Sequence, residues 1–174
     1  MPVVRKASFD DARKIAEINA AVWQTAYKNL LPAEVLNTRK ADEKRIDDWQ
    51  QRTDNGKYTI LVYDDGEVSG YLWAGPARDD IGIVYEIYAL YVKSDRQRQG
   101  IGRALLTAYQ TQINYAPHYL YMLKGNLPAA RFYESMGGKI FPSRIATKNI
   151  RDMTFPKSFI FLPGNYKYFF RKSA

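Results

Sequence analysis

No cysteine occurs anywhere in the chain, which rules out disulfides, thiolate-ligated metals and a covalent intermediate on a thiol. Histidine is almost as scarce. His118 stands alone, so a histidine-based triad and a multi-histidine metal site are not expected, and neither is a metal. No uninterrupted apolar run approaches the roughly 20 residues of a membrane span, and the opening stretch, MPVVRKASFDD, carries no apolar leader segment. The expectation is a soluble, cytoplasmic protein with no membrane partner. Acids are few toward the C-terminus, where from residue 139 onward eight Lys or Arg face one acid, Asp152. Those cations are dispersed singly among apolar residues, which is the pattern of a solvated face and argues against nucleic acid as a partner. Repeats, low-complexity tracts and linkers are also missing. The 174 residues suffice for a single domain, 1–174, with a substantial core.

What the chain does contain is a strand that gives way to a helix through a glycine-bearing, basic turn. Residues 83–92 are dense in β-branched and aromatic types, with no Pro or Gly after Gly82, and predict a central strand. Ile101, Ala104, Leu105, Ala108, Tyr109 and Ile113 recur at three-to-four-residue spacing and predict a helix. Between them lie Lys93, Arg96, Arg98, Gly100 and Gly102, followed by Arg103. The first amides of a helix lack intrahelical partners and face the positive end of its dipole, and glycines let an anion approach the backbone. The turn is therefore an expected anion site, with Arg96, Arg98 and Arg103 as mobile charge.

Read in order, residues 3–7 predict a first strand. Ser8 and Asp11 form a capping-box-like start to a helix with its apolar stripe at Ile15, Ile18 and Val22. Trp23, Tyr27 and Leu31 follow at four-residue intervals on one face. They pack on a sheet or wall an acceptor pocket. Pro32 opens a short helix, and 42–51 is another helical stretch. Residues 58–63 and 67–74 predict a hairpin around Asp64-Asp65-Gly66. Residues 119–122 give a strand expected to lie parallel to the central one. A helix beginning at Pro128 then ends before Gly137-Gly138, with Asn126, Ala130 and Tyr133 on one face. Strands are expected at 139–144 and 157–162, with an irregular loop over 146–155. His118, after Pro117, reads as a surface loop residue. The aromatic stretch 165–170 serves either as a further strand or as the contact of a homodimer.

Gln97-Arg98-Gln99-Gly100-Ile101-Gly102 resembles the Q/R-x-x-G-x-G/A signature of the GNAT acetyltransferase superfamily, as do the flanking Leu90-Tyr91-Val92 and Arg103-Ala104-Leu105-Leu106. The later segment N-x-x-A-A-R-F-Y-E-x-x-G, from Asn126 to Gly137, is similar to the second signature of that family. Gly138 departs from it, since an aromatic is usual there. A-A-V-W-x-x-A-Y-x-x-L-L-P, around Trp23 and Tyr27, resembles the acceptor-side helices of many members. The resemblance implies a mixed, mostly antiparallel α/β (α+β) sheet of six to seven strands, with a parallel central pair and helices on both faces. It also implies an acetyl-CoA site in which the amides of residues 97–103 hold the diphosphate beside Leu90, Tyr91 and Val92. Asn126 and Ala130 would lie along the pantetheine arm, Tyr133 near the thioester sulfur, and Trp23 and Tyr27 beside the acceptor.

The chemistry so implied is direct acetyl transfer to a primary amine, in which the amine must lose a proton and the departing thiolate gain one. Tyr133, a phenol with pKa about 10, is the candidate acid. Glu86 is the candidate base if half-buried and free to accept a proton. It is otherwise a salt-bridged or solvated carboxylate at the strand's end. A small-molecule amine is the first expectation for the acceptor. The alternatives are a protein N-terminus or lysine, or a non-catalytic acyl-CoA-binding regulatory domain.

Overall fold

The computed structural model describes residues 1–150 and 153–164, and of 142–150 the backbone alone. Its strands are β1 (Val3–Lys6), β2 (Thr59–Asp64), β3 (Val68–Pro76), β4 (Tyr85–Val92), β5 (His118–Leu123), β6 (Lys139–Ile150) and β7 (Met153–Leu162). The helices are α1 (Ala12–Ala26), α2 (Ala33–Leu36), α3 (Glu43–Asp54), α4 (Ile101–Gln112) and α5 (Leu127–Ser135). Hydrogen bonding orders the strands β1-β2-β3-β4-β5-β7-β6. β4 and β5 run parallel, while β1–β2, β2–β3, β5–β7 and β6–β7 are antiparallel. This is the mixed sheet with one parallel pair that the alternation of strand and helix patterns led us to expect.

Packing divides the chain into two compact units, Met1–Gly75 with Tyr88–Tyr109, and Pro76–Ile87 with the described residues from Gln110 onward. In the first unit the chain enters α1 through a 3-10 turn at Phe9–Asp11. The N–H and hydroxyl of Ser8 donate to Asp11 Oδ2 at 2.7 and 2.9 Å. Arg5 clamps the same carboxylate at 2.7 and 2.9 Å and reaches Asp64 on β2 at 2.8 Å. Burial alone would raise the pKa of Asp11, but the Arg5 guanidinium and the Ser8 donors outweigh it and hold the carboxyl low. The stripe of α1 (Ala12, Ile15, Ala16, Ile18, Val22) then buries against Ile46 and Trp49 of α3, Ile60 and Val62 of β2, and Tyr71 of β3. Each fully buried Ile contributes about 1.5–3 kcal/mol, so this stripe, more than helix propensity, holds the helix in place.

In the second unit Tyr85, Glu86 and Ile87 pair with His118, Tyr119 and Leu120, and β5 pairs with β7 from His118↔Leu162 to Leu123↔Lys157. His118 is completely buried at the start of β5, contrary to the surface position expected from Pro117. Strand neighbours on both sides enclose it. Burial lowers its pKa, although a bond between Nδ1 and the Ala116 carbonyl, 2.9 Å, opposes this. The irregular loop expected over 146–155 is also corrected. β6 continues to Ile150 and pairs with β7 through Ile150↔Met153, with a register shift between Phe141 and Ala146. Pro142 falls inside that shift, where the ladder is already interrupted. The segment 165–170 lies outside the described residues.

Candidate functional site

Four places in the two units carry the residues singled out above. The first is the turn between β4 and α4. Val92 is buried at the end of β4, and the chain then makes a 3-10 turn at Ser94–Arg96. Lys93 N–H donates to the Ser69 carbonyl at 2.9 Å, and Gln97 Nε2 reaches back to the Val92 carbonyl at 3.2 Å. Two ion pairs tie the turn to the tip of the β2–β3 hairpin, Lys93 to Glu67 at 2.8 Å and Arg96 to Asp65. Arg96 is thus committed to a carboxylate and does not supply the mobile charge expected of it. Arg98 and Arg103, in contrast, are exposed.

Backbone conformation supports the anion-site reading of this turn. Arg98 and Gly100 both adopt positive φ, 62° and 84°, and the first helical bond runs from Ala104 N–H to the Gly100 carbonyl, 2.9 Å. The amides of Ile101, Gly102 and Arg103 therefore precede any intrahelical acceptor. A Cβ built on Gly100 would meet nothing within 4 Å. It is the left-handed φ that calls for glycine there, and the space in front of the backbone is open. Sequence reasoning missed the support beneath. A Cβ on Gly70 would lie 3.0 Å from the Tyr91 carbonyl and 3.1 Å from Ile101 Cγ2, so a glycine on β3 lets the turn's base pack closely.

The second place, also in the first unit, is the aromatic edge. Trp23 and Tyr27 are both buried and meet edge to face at 5.0 Å. The Tyr27 and Tyr91 hydroxyls share a hydrogen bond of 3.1 Å. Burial raises the pKa of Tyr91, while hydrogen bonds with Tyr27 and the Trp23 side chain pull the other way. Arg39, to which sequence reasoning gave no role, lies with its Cζ 4.3 Å from the centre of the Trp23 ring. Leu90 is half-buried on β4.

Glu86, in the second unit, is the third. Its side chain is fully buried, and it is not a bare carboxylate. Arg78 donates to Oε2 from its backbone N–H at 3.1 Å and from Nε at 2.9 Å, and reaches Oε1 with its terminal nitrogen. The Tyr119 hydroxyl donates to Oε2 at 3.1 Å. Of the two readings the sequence left open for Glu86, this is the geometry of the salt-bridged one, and a base at this position has to part from Arg78 to act.

The fourth is α5. Asn126 precedes it, and its side-chain oxygen accepts from Ala129 N–H at 3.3 Å while its carbonyl accepts from Ala130 N–H at 3.0 Å. Ala130 and Tyr133 are the buried residues of the helix. At its end Gly137 turns left-handed with φ 84°. Gly137 N–H returns to the Glu134 carbonyl at 3.0 Å and Gly138 N–H to the Tyr133 carbonyl at 2.8 Å, the paired bonds of a Schellman cap. A Cβ on Gly138 would stand 2.8 Å from that same carbonyl and 3.2 Å from Ile160 Cγ2. The departure at Gly138 noted in the sequence therefore has a local cause. The described residues contain no cluster of three metal-ligating side chains and no helix long and apolar enough to cross a membrane.

A strand delivering a basic, glycine-containing turn to open helix amides, followed by a second strand and a capped helix carrying a buried tyrosine, is the framework of an acyltransferase. Comparison with known proteins agrees. The sequence profile of the acetyltransferase (GNAT) family matches residues 20–138. The chain is 31% identical over 153 residues to the uncharacterized N-acetyltransferase YuaI of Bacillus subtilis (strain 168), covering 86% of this chain and 84% of that protein. The chain thus belongs to the GNAT acetyltransferase family. Solved structures share its fold at lower identity. An N-acetyltransferase from Staphylococcus aureus Mu50 superposes with a TM-score of 0.70 at 18% identity, over 94% of this chain and 98% of that one. YncA of Salmonella typhimurium, a putative acetyltransferase solved with acetyl-CoA, gives 0.68 at 22%, over 94% of each chain.

Proposed function

We propose that residues 1–174 act as one N-acetyltransferase domain that passes an acetyl group from acetyl-CoA to the primary amine of a small molecule. The observation that carries this reading is the turn at Gly100, with its left-handed backbone, unobstructed Cβ position and the amides of Ile101, Gly102 and Arg103 at the start of α4. These residues fit a diphosphate, with Arg98 and Arg103 adding charge from the rim and Gln97 pinned to the Val92 carbonyl. When bound, acetyl-CoA supplies an acetyl group already activated as a thioester.

The chain's own residues then have separate tasks. Leu90, Tyr91 and Val92 border the donor, as does the α5 face bearing Asn126 and Ala130. Tyr133 holds a proton on its hydroxyl for the departing sulfur, and its helix is fixed at both ends by the Asn126 cap and the glycine pair. Trp23 and Tyr27 border the acceptor. Glu86 takes the amine proton, directly or through water, when Arg78 yields. The missing thiol in the sequence is consistent with direct transfer and no covalent acyl-enzyme.

A thermal-shift series tests the reading. Acetyl-CoA at a hundredfold excess over Kd stabilises by about 2.7 kcal/mol, which for a chain of this size raises Tm by about 5–10 °C. NAD and ATP leave it unchanged. Thiol release across a panel of amines then reports transfer. If acetyl-CoA leaves the melting curve where it was, the proposal is wrong.

A further inference from the structure

Arg39 is the feature that acetyl transfer as described leaves unused. Its side chain is half-buried, and its Nε is enclosed with no hydrogen-bond partner among the described residues. The ion pairs of the described residues engage Arg5, Arg13, Lys14, Arg45, Arg78, Lys93 and Arg96, and none involves Arg39. The formal charges that bear on it, Arg45 and Arg52, are both repulsive, and burial together with that repulsion lowers its pKa. Arg52 itself lies 5.0 Å from the centres of both the Trp49 and the Trp73 rings. A cation held partly out of water beside two others is costly unless a counter-charge arrives. Among the described residues it is offset by the face of Trp23, at 4.3 Å, and by the nearby Tyr91 and Tyr71, neither of which carries a formal charge.

We propose that Arg39, stacked on Trp23, receives the carboxylate of the acceptor, so that the molecule acetylated is a small free amino acid with an apolar or aromatic body. The inference rests on the reading above that Trp23 and Tyr27 border the acceptor. The Trp23 ring holds the guanidinium carbon at 4.3 Å from its centre, and a planar fork of donors fits a carboxylate in two parallel bonds. The rings of Tyr27 and Tyr91, joined at their hydroxyls, supply apolar surface beside it. An amine without an anionic group leaves the Arg39 charge uncompensated. A net charge of +8 on the chain favours approach of an acceptor whose carboxylate offsets its ammonium over that of a polyamine.

The test is equilibrium binding by calorimetry with free CoA present, which needs no turnover. Three matched pairs are titrated, leucine with 3-methylbutylamine, phenylalanine with 2-phenylethylamine, and methionine with 3-(methylthio)propylamine. In the wild-type protein at least one amino acid binds about 30-fold more tightly than its decarboxylated partner. Arg39→Met, which keeps a flexible apolar stem on Trp23, brings that ratio to within about threefold, and Arg39→Lys falls between. Equal binding within every pair overturns the proposal, as does a ratio that survives in Arg39→Met with an unchanged melting temperature. A C-terminally amidated acidic peptide that binds as tightly as the free amino acid overturns the small-acceptor assignment in favour of a protein N-terminus. Failure of the acetyltransferase reading looks different: acetyl-CoA gives no thermal shift, whatever the carboxylate preference.

Discussion

Gly137 and Gly138 sit side by side at the end of α5, and the structure gives them opposite reasons for being glycine. Gly137 has φ 84°, and a Cβ added there would meet nothing within 4 Å, whereas Gly138 would place a Cβ 2.8 Å from the Tyr133 carbonyl oxygen. Gly137→Ala therefore carries only the left-handed penalty, about 1–2 kcal/mol. Gly138→Ala forces the carbonyl, or the 2.8 Å bond that it accepts from the Gly138 N–H, to move. Ile160 Cγ2 at 3.2 Å blocks the other direction, so the overpacking range of about 1–3 kcal/mol applies, in its upper half. Urea unfolding is the assay, with lower midpoints and unchanged slope for both variants. At about 2–4 °C per kcal/mol, Gly138→Ala also lowers Tm by roughly 4–12 °C. Because the displaced carbonyl belongs to Tyr133, Gly138→Ala loses kcat beyond its loss of stability and Gly137→Ala does not. A Gly138→Ala protein as stable as wild type, or a larger cost at Gly137, refutes the close-approach argument.

Three other outcomes follow. Tyr133→Phe keeps the acetyl-CoA thermal shift and loses thiol release by about 10²–10⁴-fold, the range for a positioned acid; full activity in this variant removes Tyr133 from proton transfer. Glu86→Gln keeps volume but removes the charge that Arg78 holds. Since Arg78 is 60% exposed, solvent screening limits the stability loss to about 1 kcal/mol, while kcat/KM falls by about 10²–10⁴-fold. An unchanged kcat/KM assigns Glu86 to holding Arg78 alone. The buried His118 has its pKa lowered below its unfolded value of 6.5, so the unfolded chain binds the extra proton first. The stability this confers is present above about pH 6.5 and is lost as pH falls through the folded-state pKa. Urea midpoints measured from pH 7.5 down to 5 should fall more steeply for wild type than for His118→Asn, and parallel curves would remove His118 from the acid response.

The parts of the fold legible in the sequence were those set by near neighbours. β4, the turn and α4 each rest on periodicity and glycine placement within a short window, and the hairpin tip at Asp64-Asp65-Gly66 was plain for the same reason. The glycine pair ending α5 was equally local, whereas the cap that Asn126 makes on Ala129 N–H came only with the structure. What stayed hidden was set by partners far along the chain. His118 is buried because Tyr85 and Leu162 flank it in the ladder. β6 extends through a polar stretch because β7 offers it a backbone to pair with. Arg78 stands eight positions before Glu86 with nothing in the local pattern to join them, yet its guanidinium satisfies that carboxylate. Arg39 drew no attention among the cations that follow Pro32, since only the folded arrangement brings it over Trp23.

The ties from Lys93 to Glu67 and from Arg96 to Asp65 mean that the glycine turn is not self-supporting. Its shape is borrowed from a hairpin tip nearly thirty positions upstream. A peptide copied from 93–103 and grafted onto another strand–helix junction would arrive without its props. Added salt would likewise weaken donor capture twice over, once by shielding the diphosphate and once by slackening the scaffold that aims the amides at it.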